Sequence, residues 1–142
     1  MPARSANPVA KPKPVDEKLT INIGCVDLGQ IDLLVQEGFY ANRSDLIRTA
    51  IRNQLAGHQD VVRQMVTRKT LVLGIQHYSS ADLEAVRAAG QTLQIRVLGL
   101  ASIALDVTPA LALSTIESIT VLGALHASPA VKAALRGRTA AP

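Results

Sequence analysis

At 142 residues, 48% apolar and with a mean hydropathy of +0.21, the chain can build one ordinary domain or two small ones, which excludes a wholly disordered protein. With one Phe, two Tyr and no Trp, the core must be aliphatic, and base stacking on aromatic platforms is disfavoured as a mode of nucleic-acid binding. The net charge of +4 leans toward a polyanionic partner, but residues 1–58 carry seven Lys/Arg against six Asp/Glu and residues 59–142 eight against five, so charge alone does not locate the contact. The single cysteine, Cys25, cannot form an internal disulfide, and no charged-then-apolar leader opens the chain. Apolar runs break well short of the roughly 18 to 20 residues that cross a bilayer, so a cytoplasmic protein without a membrane span is expected.

Residues 1–15 hold four prolines with Arg4, Lys11 and Lys13 and almost no large apolar group, which predicts a flexible basic tail, either an inert leader or an arm that touches phosphates. Lys18-Leu19-Thr20-Ile21-Asn22-Ile23 alternates polar and apolar residues and reads as a short strand. If one face is buried, Leu19, Ile21 and Ile23 point to a core and Lys18, Thr20 and Asn22 stand on the other face. Leu28, Ile31, Leu34 and Val35 then recur at helical spacing, giving a helix over about Val26 to Glu37 stopped by Gly38. A second helix starts at Asn42, a capping residue, with Asp45 in the first turn. Its expected buried face is Leu46, Ile47, Ala50, Ile51 and Leu55, with Arg43, Arg48 and Arg52 turned away. Gly57 ends or bends it, and residues 59–68 continue as a connecting helix.

The second half repeats. Leu71-Val72-Leu73-Gly74, Ile95-Arg96-Val97-Leu98-Gly99 and Ile119-Thr120-Val121-Leu122-Gly123 place a Leu-Gly pair at intervals of 25 and then 24 residues, with each glycine expected to end a strand. Helix-like runs follow over Ser80–Ala89, Pro109–Glu117 and Pro129–Leu135, two of them behind Thr108 and Ser128 as caps and proline as the first helical residue. Strand, turn and helix repeated at this interval predict parallel strands, either stacked as a solenoid or laid out as a small open three-stranded α/β layer. The spacing is similar to that of leucine-rich repeats, although no asparagine ladder follows the strands. The domains expected are a tail at 1–15, a first domain at 16–57, a connecting helix at 58–69, a three-repeat domain at 70–138 and a tail at 139–142.

One strand and two amphipathic helices bury too little surface to fold alone and need a partner chain. Two strands paired antiparallel about a two-fold axis make a ribbon that fits the major groove, where lysine can donate to guanine, asparagine can pair with adenine and threonine can offer a hydroxyl or a methyl. The segment Gly38-Phe39-Tyr40-Ala41-Asn42-Arg43-Ser44-Asp45-Leu46-Ile47-Arg48-Thr49-Ala50-Ile51-Arg52 strongly resembles the ribbon-helix-helix regulators of the MetJ/Arc/CopG type, whose second helix commonly opens with Asn-Arg-Ser and an acidic residue. The likeness spans about Glu17 to Leu55. It departs at Gly24-Cys25, where that family often has proline or serine, and Gly29 lowers the intrinsic stability of the first helix.

The resemblance implies an α+β ribbon-helix-helix dimer with an intermolecular antiparallel ribbon, followed here by the small α/β repeat domain. It also implies base contacts from Lys18, Thr20 and Asn22 and phosphate contacts at Asn42, Arg43 and Ser44. Unpaired N–H groups at a helix start favour an anion independently of any family, and the Ser44 hydroxyl adds a donor. The alternative for Arg43 is a structural pairing with an acidic side chain.

The resulting expectation is a sequence-specific transcriptional regulator, a repressor in the first instance, that binds double-stranded DNA as a homodimer. Its repeats would serve higher oligomerisation or the binding of a partner or effector. Two other functions fit the same pattern: an antitoxin whose second half masks a toxin, and a scaffold whose repeats polymerise. His58, His77 and His126 lack a second ligand at metal spacing, and there is no phosphate loop, dinucleotide fingerprint, activated nucleophile or carboxylate pair. No metal, no cofactor and no catalysis are therefore expected. His77 and Tyr78 are expected to cap the repeat core rather than to line a ligand pocket.

Overall fold

The computed structural model describes residues 16–139. The tail expected at 1–15 lies outside that range, as do residues 140–142 of the C-terminal tail. The chain divides into two compact units, Met1–Arg43 and Ser44–Pro142, a division that falls inside the stretch 16–57 expected as one domain.

In the first unit, residues 16–24 take no regular secondary structure. Helix α1 (Cys25–Gln36) follows, one residue ahead of its expected span, with Asp27 in its first turn beside the positive end of the dipole. It stops because Gly38 adopts φ +83°, which lets Gly38 N–H donate to the Val35 carbonyl (3.1 Å) and Phe39 N–H to the Leu34 carbonyl (3.0 Å). Leu28, Ile31 and Val35 are half-buried, and no residue of the helix is fully buried.

The second unit takes in α2 (Arg43–Gly57), whose first residue sits at the division, then α3 (Gln59–Lys69), β1 (Val72–Tyr78), α4 (Ser80–Ala88), β2 (Leu93–Ile103), α5 (Pro109–Thr115), β3 (Ile116–His126) and α6 (Pro129–Leu135). Neither α2 nor α3 has a buried residue. In the single chain the expected apolar face of α2 is covered only in part: Leu46 and Ile47 are half-buried, while Ala50, Ile51 and Leu55 are exposed. The periodicity identified the apolar stripe correctly, but a stripe is buried only where a second surface meets it. At the C-terminus of α3, Thr70 takes a left-handed φ of +53°, and the Arg96 guanidinium donates to the Lys69 carbonyl at 3.1 Å.

The three strands form one sheet in the order β1-β2-β3, and both pairings are parallel, as the repeat predicts. Helix α4 packs on α5 and α5 on α6, which places the core between the helices and the sheet. Leu83 of α4, Ile95 and Val97 of β2, Leu111 of α5, Ile119 of β3 and Leu135 of α6 are buried there, while Gln94 and Arg96 alternate outward. Burying six such aliphatic side chains contributes about 1.5–3 kcal/mol each before chain entropy is set against it.

The helix starts follow their expected chemistry. Ser79 and Asp82 form a reciprocal capping box, and the Thr108 and Ser128 hydroxyls accept from Leu111 N–H and Val131 N–H at 3.2 Å, with proline opening each helix. The run expected as a helix to Glu117 ends at Thr115, since Ile116 already has extended backbone and begins β3. The Thr115 hydroxyl, fully buried, is satisfied by donating to the Leu111 carbonyl at 2.7 Å.

The strands are longer than expected, and the glycines do not end them. Gly74, Gly99 and Gly123 lie in mid-strand, opposite one another in register, with φ of +122°, +136° and +119°. A Cβ on Gly99 would stand 2.2 Å from the Gly74 carbonyl oxygen, and one on Gly123 would stand 2.1 Å from that of Gly99. At Gly99 and Gly123 glycine is required because the backbone of the preceding strand fills the place of a side chain.

Gly99→Ala and Gly123→Ala should each lower unfolding free energy by about 3 kcal/mol or more, combining backbone strain with the backbone collision. Gly29→Ala, at a helical position with open space around it, should instead raise stability by about 1 kcal/mol. Urea titration of the three variants checks both signs.

Candidate nucleic-acid interface

Lys18, Thr20 and Asn22 are all exposed on the segment that precedes α1. So are the apolar residues between them: Leu19 is 84% and Ile21 63% exposed, and only Ile23 is half-buried. The expected burial of one face is therefore absent from the single chain, and the segment is not a strand there. A strand exists through its ladder, and among the described residues no other strand pairs with this one. The polar trio keeps alternate places along the segment, the spacing that sets three side chains on one side of extended backbone.

The second cluster lies at the start of α2. Asn42 immediately precedes the helix, Arg43 and Ser44 are its first two residues, and Asp45 stands in its first turn. Asn42, Arg43 and Ser44 are exposed. The first N–H groups of a helix lack an acceptor within it, and the aligned peptide dipoles add positive potential there, so this end suits a phosphate oxygen.

Arg43 has a structural partner. Its Nε donates to Asp32 Oδ1 at 2.7 Å and its Nη2 to Asp32 Oδ2 at 2.8 Å, a side-on bidentate pair that ties α1 to the first residue of α2. The paired guanidinium holds the Asp32 carboxyl below its ordinary range, chiefly through the hydrogen bonds, and the same bonds raise the Arg43 value. The guanidinium is thus held by Asp32 while its side chain stays 57% exposed. Arg48 and Arg52 of α2 are exposed.

A different cluster appears at the carboxyl ends of the sheet. His77, Ser102 and His126 are neighbours in register, with His77 Nδ1 and Ser102 Oγ sharing a hydrogen bond at 3.2 Å. With Leu105 and Lys132 they border an open recess of about 420 Å³. His77 thus lines a concavity, whereas Tyr78 packs against the core, where burial pushes its hydroxyl pKa up. His58 lies apart, 3.3 Å from the Gln54 amide nitrogen, and Cys25 is an exposed thiol at the start of α1. Among the described residues no three His, Cys, Asp or Glu side chains gather as a metal site, and no helix is long and apolar enough to cross a membrane.

The Asp32–Arg43 pair gives a pH-dependent expectation. A carboxylate whose folded pKa is depressed stabilises the fold above its unfolded value, here 3.8, and that contribution is lost as pH falls through the lower folded value. Asp32→Asn should therefore melt below the wild type at neutral pH. The difference should shrink as pH drops below 3.8, and also in high salt because both side chains are about half exposed. Thermal unfolding of both proteins across pH, at two salt concentrations, tests this.

The model of the Ribbon-Helix-Helix transcriptional regulator family matches residues 14–132, which takes in the candidate DNA-contacting segment, both clusters described above and the sheet. No curated protein and no solved structure gives a match.

Proposed function

Because this chain belongs to the Ribbon-Helix-Helix transcriptional regulator family, we propose that it is a sequence-specific DNA-binding repressor of the CopG type that reads the major groove with a strand pair shared between two copies. The observation that carries this reading is the segment 16–24, where Leu19 and Ile21 stand in water beside Lys18, Thr20 and Asn22. Pairing two such segments antiparallel satisfies both backbones, turns the apolar residues onto the helices below and aligns two polar trios on the upper face. α1 and α2, with no buried residue in the single chain, supply the apolar surface such a dimer needs. The dimer's DNA-binding domain would then span residues 16–57.

In this reading Lys18, Thr20 and Asn22 carry sequence discrimination. Asn42, Ser44 and the N–H groups at the start of α2 hold phosphates and fix the register, with Arg43 adding the donors not bonded to Asp32, which orients it. The protein works by binding and carries no catalytic centre. It acts in the cytoplasm, where its operator lies. Its strand–helix repeats, whose parallel strands align in register along the glycine column, serve self-association and so place dimers on neighbouring half-sites.

The triple variant Lys18→Ala/Thr20→Ala/Asn22→Ala should remain dimeric by ultracentrifugation yet lose its preference for sites selected from random DNA. A loss of about 1–3 kcal/mol per base contact is expected, leaving only weak salt-sensitive binding. Unchanged site preference in that variant sinks the proposal.

A further inference from the structure

The two edges of the sheet are finished differently. Beside β3, Thr139 forms a parallel bridge to Ile119, and Arg138 donates to the carbonyls of Leu113 and Ile116. Beside β1, among the described residues, no strand adjoins, and Val72, Leu73 and Ile75 are 45%, 68% and 52% exposed. Natural sheet edges are commonly guarded by charge or proline. The sequence Val72-Leu73-Gly74-Ile75-Gln76-His77-Tyr78 has no Lys, Arg, Asp, Glu or Pro.

Gly74 shows what the open edge is shaped for. At Gly99 and Gly123, both with an unusual positive φ, a neighbouring carbonyl oxygen stands where a Cβ would be. Gly74 holds the same backbone conformation, yet nothing among the described residues lies within 4 Å of that position. With no side chain at that position, the main chain of another strand has room to approach the edge closely.

We propose that the free edge of β1 pairs antiparallel with β1 of a second copy of this chain, in the register that sets Gly74 opposite Gly74. The proposal rests on the assignment of the repeats to self-association and gives that assignment a surface and a geometry. The partner edge is not β3 of another copy, because residues 136–139 would have to leave the β3 edge before head-to-tail stacking could begin. Two like edges remain, and an isologous contact makes every interaction twice. In the stated register Leu73 of each copy faces Ile75 of the other on one side of the sheet, so these two exposed residues cover one another. The product is a six-stranded sheet whose two outer edges both carry the Thr139 bridge.

The test uses full-length protein carrying Cys25→Ser, which removes the only native thiol. Leu73→Cys/Ile75→Cys in that background should oxidise to a covalent dimer at least about tenfold faster than Leu105→Cys, an exposed position away from the edge, because pairing raises the local thiol concentration. Separately, Leu73→Lys/Ile75→Lys, which sets like charges face to face, should speed hydrogen exchange of the β1 amides while leaving α4 to α6 protected. Cross-linking no faster than the Leu105→Cys control overturns the proposal, whether the β1 amides exchange freely or are protected by a different occupant. Site-selective DNA binding is measured on the same samples. If it persists while β1 fails to link, only the edge pairing is wrong; if the wild type neither dimerises nor selects DNA, the proposed function is.

Discussion

Three successive helices that bury no residue set the terms for this molecule. Apolar side chains contribute to stability only when a second surface excludes water from them, and at about 25 cal/mol per Å² an uncovered stripe contributes almost nothing against the entropy of ordering its own chain. Leu19 and Ile21 before α1, and Ile51 and Leu55 on α2, belong to this uncovered set. The first part of the chain therefore presents apolar side chains that its own helices do not cover, with the exposed polar residues Lys18, Thr20 and Asn22 set between them.

The repeat region answers the same demand within one chain. Its parallel strands leave one side for α4 to α6 to cover, and the buried set drawn from all three strand–helix units closes over itself. The glycine column makes this possible at close range, since main chain replaces side chain between neighbouring strands at that level of the sheet. The strands of the repeat find their partners 24 or 25 residues away, whereas among the described residues no strand pairs with the N-terminal segment.

Much of this was legible in the residues. Apolar spacing located α1 to α6 to within a few residues, and Thr108 and Ser128 before proline marked helix starts because their hydroxyls have a fixed geometric task. The Leu-Gly recurrence revealed the parallel sheet but misplaced the glycines, because a residue that permits a close approach and one that ends a strand look alike in sequence. The end of α5 was missed because Ser114, Thr115 and Ile116 suit either state, and tertiary pairing of Ile116 with Leu93 decides it. In the candidate interface, the exposure of Lys18, Thr20 and Asn22 was readable. Asp32 as the partner of Arg43 was not, since no spacing rule links residues eleven apart across a helix turn. The recess bordered by His77, Ser102 and His126 needed the strand register, which joins residues scattered along the chain.

Helix α5 passes into β3 with no residue between them, Thr115 closing one and Ile116 opening the other. The other helix-to-strand passage within the repeat, from α4 to β2, spends residues 89–92 on a turn. A junction without slack transmits displacement directly: α5 cannot fray from its C-terminus without pulling Ile116, fully buried, away from the core. The end of α5 and the start of β3 are therefore coupled through one buried side chain, and local opening at this junction draws on both elements rather than on either alone.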